Sequence, residues 1–391
     1  MLRATKVRIY PTIEQAEFLN AQFGAVRFVY NKALHLKSRF YKRHNTNLKP
    51  KKDLKPLLAV AKKSRKYSWL KDYDSIALQQ SVINLDKAFQ NFFNPKLQAR
   101  FPRFKSKHGK QSSYHCTSIS VGENWIKIPK SKPIKARIHR EIIGQVKSIT
   151  ISRSCTGKYY AAILVDDLIG QREPTNNINA NKVTGVDVGI THLAITSQGD
   201  KVDNPRFLKR ATDNLRRKQK ALSRAQKGSK GRAKARLLVA KAHERVAAAR
   251  NDFQHKLSKQ LIGENQAVIV ETLKVKNMLK NHKLAKHIAD AGWHALTCKL
   301  EYKAKQQGKH LVKVDQWFAS SKICSVCHTK QDEMPLSTRW WECPTCHTTH
   351  DRDVNAAVNL KHQGILKLKA EGLSVSADGG CVSLANASCS L

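Results

Sequence analysis

Three acidic residues stand where apolar segments begin or end, in a chain that uses acids sparingly. Asp187 lies in a β-rich run between two glycines, Glu271 closes a short apolar run, and Asp353 opens a predicted helix. An ionised carboxylate is costly to bury unless positive charge compensates it, and a divalent cation is the usual compensation. Carboxylates from separate elements can share two Mg²⁺ or Mn²⁺ ions, an arrangement that activates water for attack on a phosphodiester. The three acids therefore predict metal-dependent phosphodiester hydrolysis.

Each acid also has a plainer interpretation when it is taken alone. Asp187 could be a turn residue, Glu271 a charge at a strand end, and Asp353 a helix cap. In the last case Asp351 would be the metal ligand instead, and a helix N-terminus favours a carboxylate whether or not metal binds. The joint occurrence of the three favours the metal site, and Asp351 stays open as an alternative to Asp353.

Four cysteines form two Cys-x-x-Cys pairs. Cys324 and Cys327 are followed, after fifteen residues, by Cys343 and Cys346. This spacing is typical of a zinc ribbon, in which each pair donates two thiolates to one tetrahedral ion. Because thiolates fill all four positions, the predicted zinc is structural. A redox role for both pairs is the alternative.

The charge of the chain points to a polyanionic partner. Its 391 residues carry 72 Lys and Arg against 29 Asp and Glu, a formal net charge of +43, while 41% of the residues are apolar. So large a charge opposes compaction unless a polyanion neutralises it. Nucleic acid fits better than membrane, because no apolar run approaches the ~18 residues of a spanning helix and no signal-peptide core opens the sequence. We expect a cytoplasmic protein that is associated with the nucleoid when it binds DNA.

The N-terminal half predicts a basic helical module followed by short strands. Residues 4–10 alternate as a strand, and Thr12 and Gln15 form a capping box for a helix. Helical patterning continues to about residue 94, with its clearest apolar stripe at Leu78, Val82, Leu85, Phe89 and Phe92. Residues 112–168 predict a small barrel or sandwich that also uses the N-terminal strand, and residues 171–182 have the composition of a linker.

The C-terminal half alternates strands and helices around a basic tract. Residues 183–196 predict a hairpin, 267–270 a buried strand, and 311–314 a further strand, with helices beginning near Trp293 and Val354. Residues 205–250 hold 16 Lys and Arg against 2 Asp and Glu, and predict two basic helices joined by a flexible turn. Because such helices repel each other, we expect them to bind phosphates, with a solvated surface as the alternative. The candidate contacts are Arg216, Arg217, Lys218, Lys220 and Arg224.

These motifs, in this order, resemble the TnpB family of transposon-encoded, RNA-guided DNA endonucleases, which are related to type V CRISPR effectors. The resemblance covers residues 3–362 and is most specific in the combination of acids and cysteines. Its C-terminal motifs are Gly-Val-Asp-Val-Gly-Ile at 185–190, Val-Glu-Thr-Leu at 270–273, Asp-Ala-Gly-Trp at 290–293, the four cysteines, and His-Asp-Arg-Asp-Val-Asn at 350–355. Arg-Phe-Val-Tyr-Asn at 27–31 and Phe-Pro-Arg-Phe at 101–104 extend it into the N-terminal half.

The resemblance implies an α+β multidomain architecture. An RNase H-like (RuvC) α/β nuclease domain over 181–315 and 350–364 is interrupted by a zinc-ribbon target-loading insertion over 316–349. A small wedge β-barrel takes residues 1–10 and 106–180, and a helical recognition lobe takes 11–105. We expect residues 365–391 to be a disordered tail, because this segment is poor in aromatics and shows no periodicity.

The resemblance also implies residue roles and partners. Asp187, Glu271 and Asp353 match the family's catalytic acids, which implies two Mg²⁺ or Mn²⁺ ions, and the four cysteines match the ligands of one structural Zn²⁺. Gln79 matches a position that approaches a short target-adjacent motif, and Ser75 stands where other members can carry a longer basic residue. The implied partners are a guide RNA derived from the transposon end and double-stranded target DNA, with no membrane, and we expect a monomer in complex with RNA.

Three other functions fit parts of the sequence. A catalytically inactive RNA-guided repressor would bind without cutting, and the complete set of acids argues against it. A transposase with a tyrosine nucleophile needs a His-hydrophobe-His metal pair, which the sequence lacks. A protein-guided junction resolvase would not need the long basic N-terminal half. No groove-reading module such as a helix-turn-helix stands out, although the N-terminal helices could contain one, so we expect base pairing with RNA to select the target.

Overall fold

A computed structural model gives the structure of residues 1–107, 111–170, 172–335 and 337–376. The chain forms two units, and the boundary between them falls after Gly170. None of the described helices is both long enough and apolar enough to cross a membrane.

The N-terminal unit is built on one antiparallel sheet. Its strands are β1 (Leu2–Tyr10), β2 (Gln111–Cys116), β3 (Ser120–Val121), β4 (Trp125–Lys127), β5 (Ile134–Arg137), β6 (Gln145–Ser154) and β7 (Tyr159–Asp166). Their order is β2-β6-β7-β1-β5-β4-β3, so the first strand of the chain lies in the middle of the sheet. Val7 and Ile9 are buried while Lys6 and Arg8 are exposed, which confirms the predicted alternation.

Helices between β1 and β2 share a core with this sheet. They are α1 (Ile13–His44), α2 (Lys55–Lys63) and α3 (Ser75–Phe93), with a π-helix at Pro50–Leu54 and 3₁₀ helices at Arg65–Asp72 and Pro95–Leu97. The predicted capping box starts α1: Gln15 N donates to Thr12 Oγ1 at 3.3 Å, and Thr12 N donates to Gln15 Oε1 at 3.0 Å. On α3, the predicted stripe is buried from Leu78 to Phe89, while Phe92 is partly exposed.

The C-terminal unit is built on a five-stranded mixed sheet. The strands of this unit are β8 (Asn177–Asn179), β9 (Val183–Asp187), β10 (His192–Thr196), β11 (Lys201–Asp203), β12 (Ala267–Glu271), β13 (His310–Val314), β14 (Trp340–Glu342), β15 (Thr349–Asp351) and β16 (Ser374–Ser376). The sheet order is β11-β10-β9-β12-β13, in which β9, β12 and β13 are parallel and β10 and β11 antiparallel. The predicted hairpin (β9–β10) and buried strand (β12) are confirmed.

Six helices belong to the described part of this unit, along with a 3₁₀ helix at Ala180–Lys182. They are α4 (Phe207–Arg224), α5 (Lys230–Glu264), α6 (Val275–Met278), α7 (Ala285–Ala291), α8 (Trp293–Gln307) and α9 (Arg352–Ala370). Helix α9 lies directly on the sheet at two glycines. A Cβ on Gly185 would come within 2.0 Å of the Ala357 carbonyl oxygen, and a Cβ on Gly364 within 2.5 Å of the Ile269 side chain. The absence of side chains at both positions therefore brings the helix backbone against β9 and β12.

Two predictions about the ends of this unit are wrong. The proposed linker 171–182 contains β8, which pairs in parallel with β16 and buries Ile178 completely. The tail proposed to begin at residue 365 is helical as far as Ala370, where Leu368 is fully buried, and 374–376 form β16. Three-residue strands carry too short a pattern to be recognised alone, and their pairing joins segments almost two hundred residues apart. The rest of the proposed tail, residues 377–391, lies outside the described residues.

Candidate active site and zinc-type cysteine cluster

Asp187 and Glu271 end neighbouring parallel strands at the same edge of the sheet. Strands β9 and β12 pair with Val186 opposite Val270, so the next residue of each strand is the acid. Both strands show the same burial, with four buried residues followed by a partly exposed one. Adjacent strands lie ~4.8 Å apart, and the carboxyl ends of parallel strands are where sites in such sheets form. The apolar run thus ends, in both strands, with a carboxylate at this edge.

Helix α9 brings the third acid to this edge. Asp353 lies one turn before Ala357, the residue that sits on Gly185. Asp187 lies two residues after Gly185, on the same face of β9, because side chains alternate along a strand. One helical turn and two strand residues span similar lengths, ~6 Å each. The contact at Gly185 therefore aligns Asp353 with Asp187.

The electrostatics of the three acids show that they interact. Burial raises the pKa of Asp187 to about 7, and the negative charges of Glu271 and Asp353 contribute to the rise, while a hydrogen bond from Val188 N and the charge of Arg352 oppose it. Burial also raises the pKa of Glu271. Carboxylates that share a poorly solvated edge resist ionisation together. Full ionisation of the cluster at neutral pH is therefore disfavoured.

This arrangement fits a hard divalent cation. Carboxylate oxygens are the ligands that Mg²⁺ and Mn²⁺ prefer, and a bound cation would reverse the repulsion that raises the Asp187 pKa. Besides the charge of Arg352, which acts on Asp187 without an ion pair, the described residues supply one ion pair to these acids: Arg339 Nη1 lies 3.6 Å from Asp353 Oδ1, and the Arg339 side chain is 60% exposed. A solvated ion pair of this kind contributes little. The carboxylates of Asp187, Glu271 and Asp353 thus have the chemistry that a catalytic divalent metal requires.

Asp351, the alternative ligand, has a different set of partners. Its Oδ1 accepts from Asp353 N at 3.0 Å and Val354 N at 3.1 Å, which makes it the N-cap of α9. Its Oδ2 lies 2.5 Å from Lys201 Nζ. These contacts lower the pKa of Asp351 against the opposing effect of its burial. The geometry assigns the cap to Asp351 and leaves Asp353 in the first turn of the helix, beside the other two acids.

The four cysteines of the predicted ribbon converge on one point. Their Sγ atoms all lie within 4.8 Å of one another, a closer gathering than that of the carboxylates of Asp187, Glu271 and Asp353 or of any other such group of His, Cys, Asp or Glu within the described ranges. Cys324 Sγ lies 3.6 Å from Cys346 Sγ, and Cys327 Sγ lies 3.5 Å from Cys343 Sγ. A tetrahedron with Zn–S bonds of ~2.3 Å has edges of ~3.8 Å, so the cluster has the size that zinc requires.

The two halves of this cluster repeat one backbone pattern. Cys324 N donates to Thr329 O and His328 N donates to Cys324 O, while Cys343 N donates to Thr348 O and His347 N donates to Cys343 O. His328 and His347 both adopt the left-handed conformation, with φ of 62° and 52°. The hydroxyl of Thr329 lowers the pKa of Cys327 to about 6, and that of Thr348 lowers the pKa of Cys346. Each half has the backbone turn of a Cys-x-x-Cys knuckle and contains one thiol whose lowered pKa favours the thiolate, the form that binds metal.

Three residues that the sequence analysis named only as parts of motifs make structural contacts, two of them at the cysteine cluster. His350 is buried, with Nε2 at 3.1 Å from Cys324 Sγ and its ring against Trp341. Asn355 hydrogen-bonds the backbone on both sides of Cys324. Asp290 accepts from Leu208 N at 3.0 Å and from Arg250 Nη2 at 2.9 Å, so it caps the start of α4. In the sequence, only the four-residue spacing of Asn355 and Asn359 indicated that the two amides lie on the same face of a helix.

The predicted nucleic-acid contacts lie on two helices. Ser75 and Gln79 are one turn apart on α3, where Ser75 is exposed and accepts a hydrogen bond from Lys62 Nζ at 2.6 Å. Helix α4 carries the basic set: Arg216, Arg217, Lys220 and Arg224 are exposed, and the partly buried Lys218 donates to Asn214 Oδ1. The prediction of two basic helices joined by a turn is confirmed, and α5 continues to Glu264, beyond the tract.

The fold and the sites define a class of proteins. The structure is a multidomain α+β fold of the Cas12f type. It combines an N-terminal unit of sheet and helices with a mixed sheet that has acids at its edge and a four-cysteine cluster that precedes α9. The same fold is found in a solved structure titled "Cryo-EM structure of the Cas12f1-sgRNA-target DNA complex", with a TM-score of 0.55 and 14% sequence identity over 90% of this chain and 83% of that chain.

The chain belongs to the TnpB/OrfB family. It is 38% identical, over 93% of its length and 89% of the relative's, to the "Putative RNA-guided DNA endonuclease" of Streptomyces pristinaespiralis. It is 29% identical, over 93% of its length and 92% of the relative's, to the "Putative RNA-guided DNA endonuclease InsQ" of Escherichia coli (strain K12). The family resemblance noted in the sequence is thereby confirmed.

Three family models match successive parts of the chain. The model described as "Probable transposase" matches residues 168–282, and "Cas12f1-like, TNB domain" matches 293–360, which includes the four cysteines. A model described as "Helix-turn-helix domain" matches residues 1–46, where the sequence patterns alone did not single out such a module. In the structure, residues 1–46 contain strand β1 and the single 32-residue helix α1.

Proposed function

We propose that this chain is an RNA-guided, divalent-metal-dependent DNA endonuclease of a transposable element. The observation that carries the proposal is that Asp187, Glu271 and Asp353 lie at one sheet edge, where burial and then the charges of the other two acids raise the pKa of Asp187. Neighbouring carboxylates at a poorly solvated edge are suited to a divalent metal, and strongly perturbed pKa values are concentrated at functional sites. The family supports the same conclusion, since its relatives are named as RNA-guided DNA endonucleases.

The residues of the site have separable tasks. Two Mg²⁺ or Mn²⁺ ions, when bound, would activate a water and stabilise the leaving oxygen of the phosphodiester. Asp187 must lose its proton to become a ligand, and its raised pKa makes this loss incomplete below neutral pH. Asp351 fixes the first turn of α9 through its cap bonds, which keeps Asp353 in place. Gly185 sets how close α9 and β9 approach.

We assign one structural Zn²⁺ to Cys324, Cys327, Cys343 and Cys346. Thiolates occupy all four directions, so the ion would offer no position to a substrate. Its task is to hold the Cys324–Cys327 knuckle against the hairpin of β14 and β15, whose connecting turn carries Cys343 and Cys346 and which leads directly into α9. The proposed domain boundaries follow: a RuvC nuclease over 181–315 and 350–364, the zinc ribbon between them, a wedge over 1–10 and 106–180, and a recognition lobe over 11–105.

The proposed partners are a guide RNA derived from the transposon end and double-stranded target DNA, bound by a monomer in the cytoplasm. A formal charge of +43 and the exposed cations of α4 support backbone contacts to both. Gln79 and Ser75 would face the short motif beside the target, where an amide can bond a base edge in the major groove. Replacing Arg216 and Arg217 by Ala should weaken binding at all sequences. The slope of log affinity against log salt concentration should become shallower by ~0.9 for each phosphate that is no longer neutralised.

The test of guidance is to separate the protein from its RNA. We expect sequencing of copurifying RNA to yield one defined species, RNA-free protein to cut no specific site, and a changed guide segment to redirect cutting. A double-strand cut at one fixed sequence by RNA-free protein would favour a protein-guided resolvase. Guided binding without any cutting by wild-type protein, in Mg²⁺ and in Mn²⁺, would favour an inactive repressor.

A matched pair of variants tests the proposed role of Gln79. Gln79→Ala should weaken cutting at every target, because the flanking motif is shared by all of them. Gln90→Ala removes an exposed amide from the same helix three turns further on, where the side chain bonds Asp86 at 2.8 Å, and should cut as wild type does. Equal rates for the two variants would remove Gln79 from motif recognition.

A further inference from the structure

Asn355 makes hydrogen bonds to the backbone on both sides of Cys324, the first cysteine of the cluster. Its Oδ1 accepts from Ser325 N at 2.9 Å, and its Nδ2 donates to Ile323 O at 2.7 Å. The side-chain amide therefore bonds the residue before Cys324 and the residue after it, as a neighbouring strand would. Any movement of Cys324 along or away from α9 must break one of these two bonds.

Asn359, one helical turn later, makes two more hydrogen bonds to the same segment. Its Nδ2 donates to Ile323 O at 2.6 Å and to Ser320 O at 2.8 Å. Both asparagines are 2% exposed, so water competes poorly for these bonds and the groups would be costly to leave unpaired. The four bonds link residues 320–325 to one face of α9 and serve no role in the proposed chemistry.

The same helical turn carries a proposed catalytic ligand. Asp353 lies two residues before Asn355, and the backbone N–H of Asp353 is bonded by the cap residue Asp351. A hydrogen-bonded helical turn moves as a rigid element, so the position of Cys324 and that of Asp353 are tied through Asn355. Metal ligands tolerate displacements of only a few tenths of an ångström.

We propose that Asn355 and Asn359 are positioning residues that couple zinc binding at the cysteine cluster to divalent-metal binding at Asp187, Glu271 and Asp353. When zinc is bound, the segment around Cys324 is fixed in place. The hydrogen bonds of the two asparagines then hold α9 in the position that places Asp353 beside the other acids. With zinc removed, residues 320–325 lose their anchor and Asp353 is held less firmly. The coupling is reciprocal, as any linkage between two binding sites must be. This inference rests on the proposed function of the three acids.

The experiment is a binding cycle on the full-length chain. Mn²⁺ affinity is measured by electron paramagnetic resonance with zinc-loaded and zinc-stripped protein, for wild type and for the Asn355→Ala/Asn359→Ala double variant. We expect zinc removal to weaken Mn²⁺ binding ~10-fold in wild type. In the double variant, the ratio of the Mn²⁺ dissociation constants without and with zinc should approach one, because Mn²⁺ binding is already weakened with zinc present. An unchanged ratio in the double variant, or a ratio of one in wild type, would overturn the coupling.

Matched measurements separate this inference from instability and from the proposed function. Gln363→Ala removes an amide from the same helix eight residues beyond Asn355, and should leave Mn²⁺ affinity and its zinc dependence unchanged. If zinc-stripped protein does not fold, the proposal is tested by comparing the zinc-loaded variants. Equal Mn²⁺ affinity in the double variant and in Gln363→Ala would overturn it. If Asp353→Ala does not weaken Mn²⁺ binding in zinc-loaded protein, the acids are not the metal site, and it is the proposed function that fails.

Discussion

Asp351 and Asp353 stand two residues apart at the start of α9 but serve different partners. Asp351 caps the helix, accepting from Asp353 N and Val354 N, and pairs with Lys201. Asp353 lies close enough to Asp187 for its charge to raise the pKa of that carboxyl. The sequence left either residue as the possible metal ligand, and because Asp351 is used by the helix cap, the proposed ligand is Asp353.

Substitutions at the two positions should therefore separate stability from activity. Asp351→Ala should lower the free energy of unfolding by about 1 kcal/mol through loss of the cap, with slower but measurable DNA cleavage. Asp353→Asn should abolish cleavage while the melting temperature stays within a few degrees of wild type. Cleavage by Asp353→Asn at the wild-type rate, together with an inactive but stable Asp351→Ala protein, would move the ligand role to Asp351.

The raised pKa of Asp187 predicts how metal binding depends on pH. Its value of about 7, against an ordinary value near 3.8, means that folding disfavours the ionised form. Stability of the metal-free protein should therefore fall as pH rises from about 4 to 7, where the unfolded chain is ionised and the folded site still holds its proton. Added Mn²⁺ should raise the melting temperature little at pH 6 and clearly at pH 8. Asp187→Asn should remove this dependence, and a Mn²⁺ effect that is constant between pH 6 and 8 in wild type would contradict the assignment.

The cysteine cluster predicts one zinc per chain. Cys343→Ser should lower zinc content and melting temperature together, because a structural zinc site contributes directly to folding. Cys298→Ser changes an exposed cysteine of the same unit and should alter neither quantity. Metal analysis of protein purified without added zinc checks the stoichiometry. Folded, active protein that contains no zinc would refute this role for the cluster.

Even the smallest side chain at position 185 should lower the stability of the protein. A Cβ there would meet the Ala357 carbonyl oxygen at 2.0 Å, and because that atom belongs to a helix backbone, α9 must shift. We expect Gly185→Ala to destabilise the protein by about 1–3 kcal/mol, as overpacking does, and to reduce cleavage although all three acids remain. Gly263→Ala is the control, since nothing lies within 4 Å of that position in α5, and it should be neutral or slightly stabilising. Equal stability of the two variants by denaturant unfolding would disprove the contact.

The sequence predicted those features that depend on local pattern. The strands ending at Asp187 and Glu271, the capping box at Thr12, and the two cysteine knuckles all have periodicities or spacings of only a few residues, which is why they could be recognised. The contacts of Asn355 with Ile323 and Ser325 depend on how a loop folds back on a helix, and no local pattern records that. The pairing of β8 with β16 was missed for the same reason, because neither strand has a pattern of its own and each acquires its partner only in the folded chain.

The most direct measurement is cleavage of guide-matched double-stranded DNA by the RNA-bound protein, with DNA binding measured on the same preparations. Wild type should cut in Mg²⁺ or Mn²⁺ and stop when EDTA is added. Asp187→Asn, Glu271→Gln and Asp353→Asn should each reduce cutting by at least ~10³-fold while binding the same DNA with wild-type affinity, because the proposed role of the acids is to hold metal rather than to contact phosphate directly. Cutting that persists in any of the three variants, or in EDTA, would contradict a metal site built from these acids.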